Sequence, residues 1–235
     1  MKPPATLSGQ PDYSNSVCQI LDVATPLFAE HGFNGVTTRQ VAAAAGLNIS
    51  TVHHHVGAKS ALYRKILERM YAEEAAIFRA FAGKLDSEPI ASAEALRDAL
   101  FGLLDEMLDL MVSNTSRARL YVRRWLAADD EEHDDLSAAH GRELQDLLER
   151  ILARGRTLGL MPATADPALL VRSFDWLVLG YFATGPTGER QWRDDPYDAR
   201  NLERFRCFLR QYLCRMLELP EAPEAPANPT EGSRE

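Results

Sequence analysis

The sequence predicts an all-α protein of about nine helices: an N-terminal three-helix head with a helix-turn-helix, followed by a larger helical domain. Three observations lead there. Apolar residues recur at the 3.6-residue period along most of 14–217, and no stretch shows the period-two alternation of a half-buried strand. Helix start and stop signals crowd together between Val36 and Val52. The two ends, 1–12 and 219–235, are polar and Pro-rich, with Pro near every third position in PEAPEAPANP, and are expected to be disordered.

In chain order, helices are expected over 14–31, 38–45, 49–55, 59–83, 92–112, 115–127, 134–158, 166–183 and 198–217. The first contains Pro26, which deletes the backbone bond to Asp22; an interior proline costs about 3 kcal/mol without compensation. The second begins at Thr37, whose pairing with Gln40 has the form of a capping box, with Val36 and Val41 as a hydrophobic staple. Gly46 ends it in the usual left-handed position. Asn48 caps the third, with Leu47 and Val52 as a second staple. Two short helices joined by a tight Gly-containing turn form a helix-turn-helix.

The third helix carries His53, His54 and His55 in a row. At 100° per residue, Val52 and Val56 point to the core, Ser50, Thr51 and His54 point away, and His53 and His55 flank the stripe. Adjacent helical residues do not face one another, so the three rings cannot chelate one ion from a regular helix. Two readings stay open: structural filler, and contact with nucleic acid from the face that enters a major groove. Lys59 opens the fourth helix, where a cation opposes the helix dipole. That placement suggests an external anion such as a DNA phosphate; a solvated lysine is the plainer alternative.

Charge supports a nucleic-acid face. The chain has a formal charge of −8, yet 31–65 holds Arg39, Lys59, Arg64 and Lys65 and no Asp or Glu. An acidic protein binds a polyanion only where its positive charge is gathered. Cys18, Cys207 and Cys214 make no disulfide framework and fit buried free thiols in a reducing compartment. No apolar run reaches the ~18–20 residues that span a membrane, and MKPPATLSGQPDYSNS lacks a signal-peptide core. A cytoplasmic protein without membrane association or cofactor is expected.

Ile20, Leu21, Ala24, Phe28 and Gly32-Phe33, then Thr37-Thr38, Val41-Ala42 and Ala45-Gly46-Leu47, then Val52, His54, Val56, Lys59 and Leu62, resemble in type and spacing the tetracycline-repressor (TetR) family of regulators. His53 and Val56 stand where that family usually has Tyr and Phe, and Ala58 lacks the usual capping side chain. The resemblance implies a homodimeric, all-helical repressor on a double-stranded DNA operator, released when a small-molecule effector enters the C-terminal domain. By position it implies DNA contacts from Thr37, Thr38, Arg39, Asn48, Ser50, Thr51, His53, His54 and Lys59.

The expected division is a 1–12 arm, a 13–73 DNA-binding domain, a 74–218 effector-binding and dimerisation domain and a 219–235 tail. Candidate pocket residues are Met107, Tyr121, Trp125, His140, Phe174 and Trp176. Met107 belongs to the apolar stripe of the fifth helix; the others are aromatic residues or a histidine at helical spacing, for which core filler is the plainer reading. The eighth helix is apolar nearly all round and must be buried on more than one side. With the ninth it is expected to form a dimer interface through Leu170, Phe174, Leu177, Tyr181, Phe205, Leu209 and Tyr212. The acidic run 129–135 reads as a helix start favoured by the dipole rather than a metal site. An enzyme using His140 and Glu143 is the competing class; neither a nucleophile elbow nor a phosphate-binding Gly loop nor a zinc-spaced Cys/His set supports it. A DNA-binding regulator without a small-molecule effector is the nearer alternative.

Overall fold

The computed structural model describes residues 14–87, 90–126, 134–157, 159, 166–184 and 195–221. Among them are nine helices and no strand: α1 (Asn15–Gly35), α2 (Thr38–Ala45), α3 (Ile49–Val56), α4 (Lys59–Ser87), α5 (Ala93–Ser113), α6 (Arg117–Leu126), α7 (Asp134–Thr157), α8 (Pro167–Thr184) and α9 (Ala199–Leu217). The expected all-helical class and helix order are observed. The 1–12 arm lies outside the described residues.

The fold begins with α1 through α3 closing around the start of α4. Ile20, Leu21, Ala24, Phe28, Val41, Val52, Leu62 and Ile66 have no exposed surface. This core does not stop at the head. It continues through Leu108 of α5, Leu120 of α6, Phe182 of α8 and Leu209 of α9 as one cluster. A second cluster fills the far end, where the last half of α4 meets α5, α7 and the ends of α8 and α9. Since α4 runs unbroken from Lys59 to Ser87, the boundary expected near 73 falls inside one helix.

Three details differ from expectation. The helix containing Pro26 is interrupted at Gly32, where φ is 72° and ψ 173°, a conformation open to glycine. Cys207 is exposed and Cys214 buried, so the two thiols do not share a buried face. The packed chain extends past 218: Leu219 is buried in the second cluster, and Arg97, buried on α5, donates from Nη1 to the carbonyls of Pro220 (3.3 Å) and Glu221 (3.2 Å).

Candidate nucleic-acid interface and the interior beneath it

The helix-turn-helix forms as its boundary signals dictate. Thr37 Oγ1 accepts from Gln40 N at 3.2 Å while Thr37 N donates to Gln40 Oε1 at 2.8 Å, a complete capping box. Gly46 sits at φ 66°, and its N–H closes on Ala42 and Ala43. Asn48 Oδ1 accepts from Thr51 N at 2.7 Å and from Thr51 Oγ1 at 2.9 Å. Val36, Val41 and Val52 are buried and Leu47 packs against them, so both staples are in place.

On α3, Val52 and Val56 are buried; Ser50, His53 and His54 are exposed, and Thr51 and His55 are half-buried. Of the other expected contact residues, Thr37, Arg39 and Asn48 are exposed and Thr38 is half-buried. Thr37 and Asn48 therefore already serve as caps, though both residues remain exposed. Lys59 holds a surprise. Its Nζ donates to Phe33 O at 3.1 Å and lies 4.3 Å from the centre of the Phe33 ring. The cation at the start of α4 thus has an internal partner, the partially negative C-terminal end of α1. An ammonium has three donors, so two remain after this bond. Arg64 is likewise engaged: it forms a bidentate pair with Asp135 of α7, at 3.1 and 3.0 Å, and a 3.1 Å bond to Glu68.

Beneath the head lies a polar centre that sequence reasoning found only in part. Glu74 of α4 is buried and bonded to Tyr121 of α6 and to His140 of α7, the latter at 3.0 Å from Nε2. Burial alone would raise the Glu74 carboxyl. The bond and charge of His140, the Tyr121 hydroxyl and the Arg117 charge outweigh it and hold the group below the carboxylate range. An ionised carboxylate only accepts, so His140 Nε2 carries the proton of that bond. Burial and the neighbouring carboxylate push the Tyr121 phenol well up. Arg117, with no exposed surface, donates to Met70 O at 2.9 Å and pairs with Glu73. Asp175 of α8 completes the set: burial and the charge of Glu74 raise it to about 7, against the opposing pull of Arg172 and His140.

The expected pocket residues are partly brought together. Tyr71 stacks on His140 at 4.3 Å and touches Tyr121 at 5.6 Å, and Trp125 meets Trp176 at 4.9 Å. Met107 and Phe174 lie at the seam of the two apolar clusters. The concavities described lie elsewhere: a shallow hollow of about 550 Å³ on α7 at Asp146, Glu149, Arg150 and Ala153, and a crevice of about 30 Å³ between α4 and α7. Among the described residues, no group of three His, Cys, Asp or Glu is placed to hold a metal ion, and no helix is long and apolar enough to cross a membrane. Most of the acidic run 129–135 lies outside the described residues.

The expected interface residues divide. Leu209 has no exposed surface, and Leu170 and Phe205 keep 8% each, so these three fill the chain's own core and offer a partner almost nothing. Phe174, Leu177, Tyr181 and Tyr212 are half-buried. The large apolar side chains left open on α8 and α9 are instead Leu169, Trp176, Phe208 and Met216.

Comparison with known proteins adds three findings. The pattern for bacterial regulatory proteins of the tetR family matches residues 20–66. The HTH-type transcriptional repressor KstR2 of Rhodococcus jostii (strain RHA1) is 33% identical over 88 residues, which are 37% of this chain and 42% of that protein. The match thus spans less than half of the relative. Among solved structures, the ketosteroid transcriptional regulator KstR2 of Mycobacterium tuberculosis superposes with a TM-score of 0.63 at 18% identity, covering 90% of this chain and 97% of that one. The fatty acid degradation regulator FadR of Bacillus halodurans gives 0.63 at 14% identity over 85% and 97%. At these identities the structural likeness establishes the fold.

Proposed function

Through its head the chain belongs to the tetR family of bacterial regulatory proteins, and from that premise we propose that it is a dimeric, DNA-binding transcriptional repressor released from a palindromic operator by a small molecule. The observation that carries this reading is the outer face of α3. Ser50, His53 and His54 stand exposed over the buried Val52 and Val56, in a stretch without an acidic side chain. A short helix with a polar, acid-free outer face and a fixed inner face suits a major groove. Thr38, Arg39 and the remaining donors of Lys59 would reach phosphates, which position a protein without specifying sequence.

One eight-residue helix offers too few base contacts for a unique address, so two copies are needed. We assign the dimer face to the open side of α8 and α9, at Leu169, Trp176, Phe208 and Met216, with Tyr181 and Tyr212 at its edge. Obligate dimers bury roughly 2,000 Å² or more, largely apolar.

The experiment is selection of duplexes from a random pool by the full chain, followed by sedimentation with and without the enriched duplex. A palindrome with half-site centres about 34–36 Å apart, or a multiple, and a two-chain complex are expected. Failure to enrich any sequence at low and moderate salt would sink the reading.

A regulator without a small-molecule effector is favoured by one observation. Of the expected pocket residues, Trp125 packs on Trp176 and His140 stacks on Tyr71, and the hollows described lie elsewhere. Steroid and fatty-acyl compounds, chosen because two structural neighbours are named as ketosteroid and fatty acid degradation regulators, are the first to test by thermal shift. If no such compound raises Tm or releases the duplex, the effector-free reading takes precedence.

A further inference from the structure

The C-terminal end of α1 is an electrostatic problem solved from outside the head. Gly32 interrupts the helix, leaving the preceding carbonyls without their usual helical partners. The last turn of α1 contains no basic residue of its own to meet the negative end of its dipole. Two cations from elsewhere do so. Lys59 of α4 takes Phe33 O, as described. Arg123 of α6, ninety-odd positions along the chain, takes two more: Nε donates to Ala29 O at 2.8 Å and Nη2 to Glu30 O at 2.6 Å. Its Nη1 lies across Gly32, 3.3 Å from where a Cβ would stand. Arg123 also sits in the last turn of α6, so one guanidinium serves two negative helix ends.

The same helix grips α4 from its other side. Arg117 holds Met70 O and Glu73, and Tyr121 holds Glu74. Its apolar face packs on α8 through Trp125 and Trp176. α6 is therefore bonded to the body's polar centre and to the segment that leads, through Phe33 and Val36, into the helix-turn-helix.

We propose that Arg123 is a positioning residue for DNA binding: its grip on the end of α1 ties the placement of the helix-turn-helix to α6 and so to the C-terminal domain. The inference rests on the DNA-binding reading above. Charge-assisted bonds to two carbonyls are directional, so a shift of α6 must either carry the end of α1 with it or break them. Coupling between sites is reciprocal, so DNA held by the head must be felt in α6.

The test is hydrogen exchange of the full chain, with and without a duplex enriched from a random pool, for the wild type, Arg123→Ala and Arg123→Lys. In the wild type, the duplex slows exchange across 117–126 by about tenfold, within the usual range of such coupling. In Arg123→Ala the duplex still binds at saturation, but that slowing disappears; Arg123→Lys, able to reach one carbonyl, restores part of it. A merely structural arginine would loosen the end of α1 yet leave the duplex-induced slowing intact, and that result overturns the proposal. If the wild type enriches no duplex, the DNA-binding reading fails while Arg123 is decided in the free chain. Thr37→Ala, which loosens α2, then speeds exchange in α6 when Arg123 is present and not when it is Ala; equal acceleration in both backgrounds overturns the proposal.

Discussion

Helices α3 and α8 face the same geometric situation and answer it with opposite chemistry. Each buries one side in the chain's own core: Val52 and Val56 on α3, Leu170, Val178, Leu179 and Phe182 on α8. Each leaves another side open. On α3 the open side is Ser50, His53 and His54; on α8 it is Leu169 and Trp176, 68% and 54% exposed. A hydrated polyanion suits the first, because hydrogen bonds to bases and phosphates replace bonds to water. A dry protein surface suits the second, because only burial removes apolar area from water. The partner of a helix is thus written in its leftover face, and two leftover faces of opposite character predict two different partners.

The strongest way to break this contrast is to make the open face of α8 resemble that of α3. Trp176→Glu should leave each chain helical, because the side chain is more than half exposed in the single chain. An unpaired charge buried in an interface costs roughly 3–5 kcal/mol. The dimer dissociation constant, read by sedimentation, should therefore rise at least about a hundredfold. Loss of the fold instead would place Trp176 in the chain's own core. On α3, His54→Ala should cost about 1–3 kcal/mol on the preferred duplex and relax selectivity. Thr51→Ala should do less, since its hydroxyl is already bonded to Asn48. Competition against scrambled duplexes reads both, and unchanged selectivity in the pair removes α3 as the reading helix.

A third change probes what holds α3's neighbour in place. Thr37→Ala removes the side-chain half of the capping box, leaving the backbone N–H of residue 37 to donate to Gln40, and should destabilise α2 by about 1 kcal/mol, measured by hydrogen exchange in 38–45. The smallest effect concerns the inner side of α8. Asp175 titrates near 7 in the folded chain against 3.8 ordinarily, so the folded chain holds this proton over an interval where the unfolded chain has lost it. Its contribution to stability is complete below about pH 4 and is lost as pH rises through about 7. Asp175→Asn should therefore raise Tm at pH 8 by about 2–4 °C and leave it nearly unchanged at pH 4. Glu74 acts in the opposite sense, its share being lost as pH falls through its folded value, so the difference between variant and parent is the quantity to follow.

What was legible in the sequence was what depends on near neighbours. Thr37 with Gln40, Gly46, and Asn48 with Thr51 act over three or four residues, and each formed as its spacing dictates. The apolar circumference of α8 led to an expectation of burial on more than one side; one side is buried in the chain's own core and another stands open, and periodicity cannot say which apolar residue meets that core. Leu170, Phe205 and Leu209 turned inward and Leu169, Trp176 and Phe208 outward. The proline in α1 drew attention from the glycine that interrupts it. Long-range ties were invisible: Lys59 finds a carbonyl across the head, Arg123 two carbonyls on α1, and Glu74 a histidine on α7. Nothing in the local pattern around Glu74 distinguishes it from its half-buried neighbour Glu73. The fully buried Arg117 runs against the rule that arginines keep to the surface, and its partners on α4 explain why.

The bonds from Arg97 to the carbonyls of Pro220 and Glu221 tie the segment after α9 back to α5. Removing those two residues would leave the buried Arg97 guanidinium with Asp98 alone, beside the cluster that also buries Leu213, Leu217 and Leu219. A tag or surface tether joined directly after Glu221 is therefore held at an anchored point, beside the second apolar cluster and away from the exposed face of α3.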